Sequence, residues 1–247
     1  MNKNKTRNAY IGTSGWHYKH WIGPFYPAEL HKKDMLKYYV QFFSTTEINN
    51  SFYKLPSQNT FQNWAEQVPE NFTFSVKANR YITHMKKLKN SKEALNRFME
   101  GIKPIGNHIG PILFQLPPRW RCNPQRLSLF LEGLPPENQY VFEFRDSSWW
   151  NEAVYDLLKD YGAAFCIFEL AGLLSPMIST TDFIYIRLHG PNNAYQSLYS
   201  EEVLQEWSDK IAKWIQQKKT VYCYFDNDQE GFAIKNALRL KKIIANN

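Results

Sequence analysis

The sequence lacks the features that would assign it to several common protein classes. Its 247 residues include three cysteines, Cys122, Cys166 and Cys223, with no CxxC or other metal-ligand spacing. This odd number argues against a disulfide framework, so we expect a reducing, cytoplasmic compartment. No apolar run approaches the roughly 18 residues that a membrane-spanning helix needs, and we therefore expect no membrane partner.

Familiar motifs of catalysis and nucleotide binding are also missing. Gly12 and Gly15 have the spacing of neither a Walker loop nor a dinucleotide fingerprint. There is no nucleophile elbow and no Ser-His-Asp ordering. Of the six histidines, His84 and His189 fall near predicted strand ends, which argues against a trinuclear zinc site. The chemistry therefore has to come from carboxylates, cations and aromatic side chains.

Aromatic and basic residues are abundant instead. Phe, Tyr and Trp make up 16% of the chain, with 8 Trp and 15 Tyr, so some rings must line a surface or pocket. The 30 basic residues outnumber the 23 acidic ones, and the net charge of +7 suits anionic partners, nucleic acid among them. A solvated, lysine-rich surface, such as the run at 86–89, explains the same charge, and we favour that interpretation.

Short β-branched or aromatic runs alternate with helical patterns along the chain. The predicted strands are 10–14, 45–49, 73–77, 112–115, 140–145, 164–168, 183–188 and 221–226. The predicted helices are 35–43, 60–68, 91–102, 124–134, 152–161, 200–217 and 232–244, with Ser91 and Ser200 as N-caps. This alternation predicts an α/β fold, a single (β/α)8 TIM-type barrel, which usually takes about 250 residues. We predict one barrel domain over 10–247, with residues 1–9 disordered or loosely held.

Alternation within a strand predicts which side chains point into the barrel. In the strand 140–145, Phe142 and Phe144 share one face, and Glu143 and Arg145 share the other. Because phenylalanines belong under the helices, Glu143 and Arg145 should point into the mouth at the C-terminal ends of the strands. The same alternation assigns inward positions to Glu47, Lys77, Tyr185, Arg187, His189, Tyr224 and Asp226.

Several motifs, taken in order, resemble a known family. They are Ile11-Gly12-Thr13-Ser14-Gly15-Trp16-His17-Tyr18, Glu47-Ile48-Asn49-Asn50-Ser51-Phe52-Tyr53, Glu143-Phe144-Arg145, Tyr185-Ile186-Arg187-Leu188-His189-Gly190 and Tyr224-Phe225-Asp226-Asn227. From Tyr10 to about Leu240 the chain resembles the YecE-like family, domain of unknown function 72. The resemblance implies a (β/α)8 barrel related in shape to xylose-isomerase and endonuclease-IV barrels, and it implies no particular activity.

Acidic residues at the predicted strand ends are candidates for catalysis. Paired carboxylates can act as general acid and base when their surroundings separate their pKa values. The predicted catalytic residues are Glu47, Glu143, His189 and Asp226. A divalent metal held by Glu143, Glu169, His189 and Asp226 is a further hypothesis. The competing interpretation, which we favour over the metal, pairs Glu143 with Arg145 or Arg187 and leaves His189 bonded to a loop.

Cations and aromatic rings at the same ends are candidates for binding. Arginine binds carboxylate or phosphate through two parallel hydrogen bonds, and flat rings stack on sugars or bases. The predicted binding residues are Trp16, Tyr18, Asn49, Tyr53, Lys77, Gln115, Arg145, Trp149, Arg187 and Asn227, with His84 as a further cationic candidate. Two alternatives stay open: the cations form internal ion pairs, and Trp149 anchors the next helix.

These residues support one preferred function and two rivals. The preferred hypothesis is an enzyme that acts on a phosphate-bearing sugar or nucleic-acid-related substrate by acid–base or metal-assisted chemistry, with a small anionic ligand. The first rival is a metal-free carbohydrate-active enzyme. The second is a non-enzymatic module for single-stranded nucleic acid, which requires a continuous basic track. The sequence leaves open which of these applies, whether the chain is an enzyme, and its oligomeric state.

Overall fold

The computed structural model describes residues 8–246. Its strands are β1 (Ala9–Thr13), β2 (Thr45–Ile48), β3 (Thr73–Lys77), β4 (Ile109–Leu116), β5 (Tyr140–Phe144), β6 (Ala163–Leu170), β7 (Leu173–Leu174), β8 (Phe183–Leu188) and β9 (Thr220–Phe225). Its α-helices are α1 (Met35–Tyr39), α2 (Gln58–Ala65), α3 (Lys92–Ile102), α4 (Pro124–Leu131), α5 (Glu152–Asp160), α6 (Glu201–Gln216) and α7 (Phe232–Asn246). Of the segment predicted to be loosely held, residues 1–7 lie outside the described residues, and Ala9 already belongs to β1.

The strands form one sheet in the order β1-β9-β8-β6-β5-β4-β3-β2, and β7 adds to β6 in antiparallel. Neighbouring barrel strands pair in parallel, as β1 does with β9 and β4 with β5. A parallel bridge between Ser14 and Glu47 joins the two ends of that order. The fold is therefore the predicted α/β one, a nearly closed (β/α)8 TIM-type barrel with surrounding helices.

Two compact units make up the chain. The first contains the described residues up to 47, Ile167–Met177 and the described residues from 182 onward. The second contains Ile48–Cys166 and Ile178–Thr181. The predicted extent of a single domain, residues 10–247, stays a prediction.

In the second unit, β5 shows how alternation positions a functional group. The ring of Phe142 packs against Phe130 of α4 with centroids 6.1 Å apart, and Phe144 stacks on Phe165 at 5.9 Å. Both phenylalanines are fully buried. Glu143, between them, has the opposite orientation and pairs with Arg145. The predicted division of this strand into two faces is confirmed.

In the first unit, the inward faces of β2, β8 and β9 meet through hydroxyl groups. The Tyr224 hydroxyl lies 2.7 Å from the Thr45 hydroxyl, and the Tyr185 hydroxyl donates to Glu47 at 2.7 Å. All four side chains are fully buried. The predicted inward positions of Glu47, Tyr185 and Tyr224 are therefore confirmed.

The helix starts follow the predicted caps at one position and depart from them at another. Ser200 caps α6, because its hydroxyl accepts from the Val203 amide at 3.4 Å. Ser91 occupies the N-cap position of α3, as the sequence predicts, but its side chain makes no capping hydrogen bond. Its backbone (φ −97°, ψ 3°) is not extended as a side-chain cap requires, and its hydroxyl donates to the Leu88 carbonyl at 3.0 Å.

The connection between β6 and β8 differs from those that contain an α-helix. Between β6 and β8, the described residues form the short strand β7 and no helix. None of the helices in residues 8–246 has the length and apolar character needed to span a membrane.

Candidate functional site

Arg187 is the centre of a buried charge cluster in the first unit. It lies near the end of β8 and its side chain is 0% exposed. Its guanidinium donates from Nε to Glu47 Oε2 at 2.9 Å and from Nη2 to Glu47 Oε1 at 2.6 Å. This two-pronged geometry is the strongest form of ion pair between arginine and a carboxylate.

Glu47 receives two more hydrogen bonds. The Ser14 hydroxyl donates to Oε1 at 2.5 Å, and the Tyr185 hydroxyl donates to Oε2 at 2.7 Å. Both carboxylate oxygens are therefore occupied by donors from the protein itself. A general base has to reach a substrate proton with one of its oxygens. The geometry of Glu47 suits a structural anion, and the proton-transfer role predicted for it stays a prediction.

His189 and Asp226 complete the cluster. Asp226 Oδ2 accepts from Arg187 Nη2 at 3.1 Å and lies 2.9 Å from His189 Nδ1. His189 Nε2 lies 3.1 Å from Arg187 Nη1. Because a guanidinium can only donate, Nε2 must accept, and Nδ1 therefore carries the hydrogen that points to Asp226. This arrangement places the His189 ring between the Arg187 guanidinium and the Asp226 carboxylate.

The predicted metal ligands fall in both units. Glu143 belongs to the second unit, whereas Glu169, His189 and Asp226 belong to the first. Burial raises the pKa of Glu169, and a hydrogen bond from Trp207 opposes that rise. Within residues 8–246 there is no group of three or more His, Cys, Asp or Glu side chains that could hold a metal ion. The cation that Asp226 meets is the Arg187 guanidinium, and the metal hypothesis stays a prediction.

Three predicted binding residues of the first unit are engaged in its own packing. Trp16 is buried and its carbonyl accepts a short hydrogen bond from the Tyr26 hydroxyl. The Tyr18 hydroxyl donates to the Ser14 carbonyl at 2.7 Å, and burial, with the charge of Asp226, raises the Tyr18 pKa well above its usual range. Tyr18 therefore stays a neutral phenol.

Asn227, the third of them, is fully buried after β9. Its amide nitrogen donates to the Ser197 carbonyl at 2.8 Å and to Asn236 Oδ1 at 3.0 Å. It thus ties the end of β9 to a loop and to α7. Its amide oxygen has no hydrogen-bond partner among residues 8–246, and the predicted binding role of Asn227 stays a prediction.

In the second unit, charged groups gather at the C-terminal ends of β3 and β5. Glu143 is fully buried and accepts a very short hydrogen bond from Arg145 Nε. The Cys166 thiol lies 3.9 Å from the other Glu143 oxygen. Gln115 stands opposite Glu143 in the β4–β5 register. The prediction that Glu143 pairs with Arg145 is confirmed.

Lys77, the last residue of β3, is only 7% exposed. Its ammonium lies 4.2 Å from the centre of the Phe52 ring, a favourable cation–π contact. The Ser51 hydroxyl donates to the Lys77 carbonyl at 2.6 Å and fastens the turn Asn50–Phe52 to the strand end. Lys77 is therefore held at the strand end by an aromatic face.

His84 lies in a π-helical turn, Tyr81–Met85, that follows β3. Its Nδ1 is 2.9 Å from the Thr83 hydroxyl, and its ring meets the Phe52 ring edge-on at 4.9 Å. Burial lowers the His84 pKa to about 4, with Lys77 and Arg80 adding to the effect and Glu143 opposing it. His84 is consequently neutral near pH 7.

The charges around His84 are unequal in sign. Lys77, Arg80 and Arg145 act on the His84 imidazole as cations, and Glu143 acts on it as a carboxylate. Lys77 is buried, Arg145 is half-buried and Arg80 is exposed, and cations gathered in this way can attract an anionic group. Sequence reasoning missed Arg80 and left Phe52 out of the predicted binding residues. Arg80 follows β3, which ends in Lys77, and Phe52 follows β2, the neighbour of β3 in the sheet.

Asparagine side chains lie beside this group of cations. Asn49 and Asn50 follow β2, and each has a buried amide oxygen with no hydrogen-bond partner among residues 8–246. A buried acceptor left unpaired costs free energy, so it favours a ligand that brings a hydroxyl donor. Tyr53, in the same turn region, is 70% exposed.

Trp149 is held by contacts within the second unit. Its side chain is fully buried, its indole N–H donates to the Trp120 carbonyl at 2.6 Å, and its ring stacks on Phe144 at 5.0 Å. No ring face is left to stack on a sugar or base. Trp149 is thus tied to β5 and to the segment after β4, and both its predicted binding role and the alternative in which it anchors the next helix stay predictions.

Comparison with known proteins gives consistent matches. A family model described as "Protein of unknown function DUF72" matches residues 10–247. The UPF0759 protein YunF of Bacillus subtilis is 23% identical over 268 residues, which cover 95% of this chain and 94% of that protein. The UPF0759 protein YecE of Escherichia coli is 28% identical over 139 residues, which cover 55% of this chain and 48% of that protein.

Solved structures of similar proteins have the same fold. A DUF72 family protein from Thermotoga maritima matches with a TM-score of 0.88 and 32% identity, over 96% of this chain and 99% of that one. A DUF72 family protein from Enterococcus faecalis matches with a TM-score of 0.82 and 19% identity, over 96% of this chain and 95% of that one.

Proposed function

The chain belongs to the DUF72 family, a family of unknown function, and from its site we propose that it binds a phosphate-bearing sugar and transfers protons on it. The observation that carries the proposal is the group of cations, Lys77, Arg80 and Arg145, around His84 in the second unit, with Lys77 held over the Phe52 ring. Lys77 and Arg145 would hold the phosphate at the C-terminal ends of β3 and β5. Active sites of (β/α)8 barrels lie at these ends of the strands.

The sugar part of the proposal rests on the two asparagines after β2. The unpaired amide oxygens of Asn49 and Asn50 accept hydrogen bonds, and a polyol supplies hydroxyl donors for them. Ser51, the next residue, is bonded to Lys77, so the acceptors lie close along the chain to the proposed phosphate-binding group. Phosphate and hydroxyl groups in one small molecule describe a sugar phosphate.

The proton-transfer part rests on Glu143. It is the carboxylate of this group of charges, and it lies beside Arg145, which stabilises its charge. His84, neutral near pH 7, can donate or accept a hydrogen bond without carrying charge. We assign the Glu47–Arg187 pair of the first unit a scaffolding role, because each Glu47 oxygen already accepts two hydrogen bonds, one of them from Arg187.

The proposed compartment is the cytoplasm. Cys122, Cys166 and Cys223 form no disulfide, and Cys166 and Cys223 are buried. Thiols in this state suit a reducing environment.

Binding is tested by calorimetric titration with ribose 5-phosphate. Ribose and inorganic phosphate, the two halves of that molecule, are titrated separately for comparison. We expect ribose 5-phosphate to bind more tightly than either half. A hydrogen bond to a charged group contributes about 1.5–3 kcal/mol, so Lys77→Gln should weaken binding about ten- to a hundredfold. Lys54→Gln, at an exposed position of the same unit, is the matched control and should leave binding unchanged. Equal affinity for ribose and ribose 5-phosphate would contradict the proposal.

Proton transfer is tested separately by proton NMR in D2O on a panel of aldose and ketose phosphates. We expect the enzyme to replace a carbon-bound hydrogen with deuterium and Glu143→Gln to abolish that exchange. Tight binding without exchange on any member of the panel would leave a binding protein and overturn the catalytic part.

A further inference from the structure

A cleft of about 560 Å³ lies in the second unit between the start of α3 and α4. One wall comes from residues 88–95 and the other from residues 123–133. Both helices begin after a barrel strand has ended, so the cleft opens toward the C-terminal ends of β3 and β4. Its volume is within the range of sites for small molecules.

The polar lining of the cleft is cationic. Lys89, Lys92 and Arg126 line it, and no aspartate or glutamate does. In the part of the chain that the structure describes, none of these three cations forms an ion pair. The Arg126 guanidinium lies 5.9 Å from the Trp120 ring, which restrains its position. Three cations without a counter-charge in one cleft favour an anionic ligand.

The floor of the same cleft is apolar. Leu88, Leu95 and Phe130 form it and are almost fully buried, while Leu129 at the edge is 70% exposed. An anion without an apolar part would leave this surface uncovered. The ligand that fits both parts has a charged head for the cations and an apolar body for the floor.

A supporting feature is the first turn of α3. The Ser91 hydroxyl donates to the Leu88 carbonyl, so it does not cap the helix amides that begin at Lys92. Uncapped amides at a helix start interact favourably with an anion. This adds to the lysine and arginine charges at the same wall.

We propose that the cleft between α3 and α4 is a second ligand site, which binds a phosphate monoester with an apolar body. This site is separate from the one proposed around Lys77 and does not depend on it. Charge complementarity identifies the head group, and the buried leucine and phenylalanine floor identifies the body. The size of the cleft argues for a small molecule over a folded protein partner.

Phenyl phosphate is the probe, and its binding is followed by NMR of the ¹⁵N-labelled protein. The indole N–H signal of Trp120 is the local reporter, because the Trp120 ring adjoins Arg126. We expect this signal to move on titration and the affinity to fall about tenfold in Arg126→Gln and again in Lys92→Gln. Lys103→Gln, an exposed lysine just beyond the other end of α3, is the matched control and should change nothing.

Three further results separate binding in the cleft from binding elsewhere on the protein. Lys77→Gln should leave the Trp120 response intact, and if it abolishes the response, the ligand occupies the barrel site and the cleft proposal is overturned. Phenol should bind far more weakly than phenyl phosphate, and equal binding would reduce the cleft to an apolar patch. Unchanged affinity in both Arg126→Gln and Lys92→Gln, with unaltered thermal melting, would also overturn it.

Discussion

Replacing Arg187 with methionine tests whether the buried cluster of the first unit is a scaffold. Both Arg187 and Glu47 have 0% exposed side chains, and the guanidinium also bonds to Asp226. Arg187→Met therefore leaves two buried carboxylates without their cation. Removing one partner of a buried ion pair costs about 3–5 kcal/mol.

This loss in the free energy of unfolding converts into a shift of the melting temperature. For a chain of this size, each kcal/mol lowers the midpoint by about 2–4 °C, so Arg187→Met should melt about 6–20 °C below the parent. Urea unfolding followed by tryptophan fluorescence gives the free energy independently. Adding Glu47→Leu to Arg187→Met should recover part of the loss, because the double variant removes one of the two stranded charges.

The matched control is an exposed pair of the same chemistry. Arg239 and Glu201 form a two-pronged ion pair at about half exposure, 44% and 51%. Exposed pairs are screened by solvent and contribute little to stability, so Arg239→Met should leave the midpoint almost unchanged. If Arg187→Met costs no more than Arg239→Met, the scaffolding role is refuted and Arg187 returns to the candidates for ligand binding.

Three further predictions concern the second unit. Glu143→Gln should abolish proton transfer and tighten the binding of inorganic phosphate. The reason is that it removes the carboxylate from a group that contains three cations. Weaker phosphate binding of this variant in calorimetry would contradict the charge argument. The His84 pKa of about 4 lies below its unfolded value near 6.5, so the unfolded chain binds the proton first and stability should fall as the pH drops from about 6.5 to 4. That fall, measured by urea unfolding across this window, should be smaller in His84→Gln. Trp149→Phe should lower the free energy of unfolding by about 1–3 kcal/mol, because the buried Trp120 carbonyl loses its hydrogen-bond donor. The variant should bind ribose 5-phosphate as before. A change in affinity at constant stability would assign Trp149 to the ligand site.

Much of the fold could be predicted from the sequence because its signals are local. Two strands, Thr73–Lys77 and Phe183–Leu188, have the predicted bounds. The alternation of Phe142, Glu143 and Phe144 set the two faces of β5, since successive side chains in a strand point in opposite directions. The predicted and observed ends of β4 differ, because Ile109 pairs with Phe74 across a register shift, and a partner strand leaves no mark in the local pattern.

The partners of the inward side chains depended on the tertiary structure. The sequence determined that Glu47 and Arg187 both point inward, but they are 140 positions apart, and only folding shows that they neutralise each other. The contacts of Phe52 also depend on folding, because its ring meets both Lys77 and His84, which belong to another part of the chain. Alternation depends on adjacent residues, whereas an ion pair depends on distances between strands far apart in the chain. Which charges pair with one another is therefore decided by the fold.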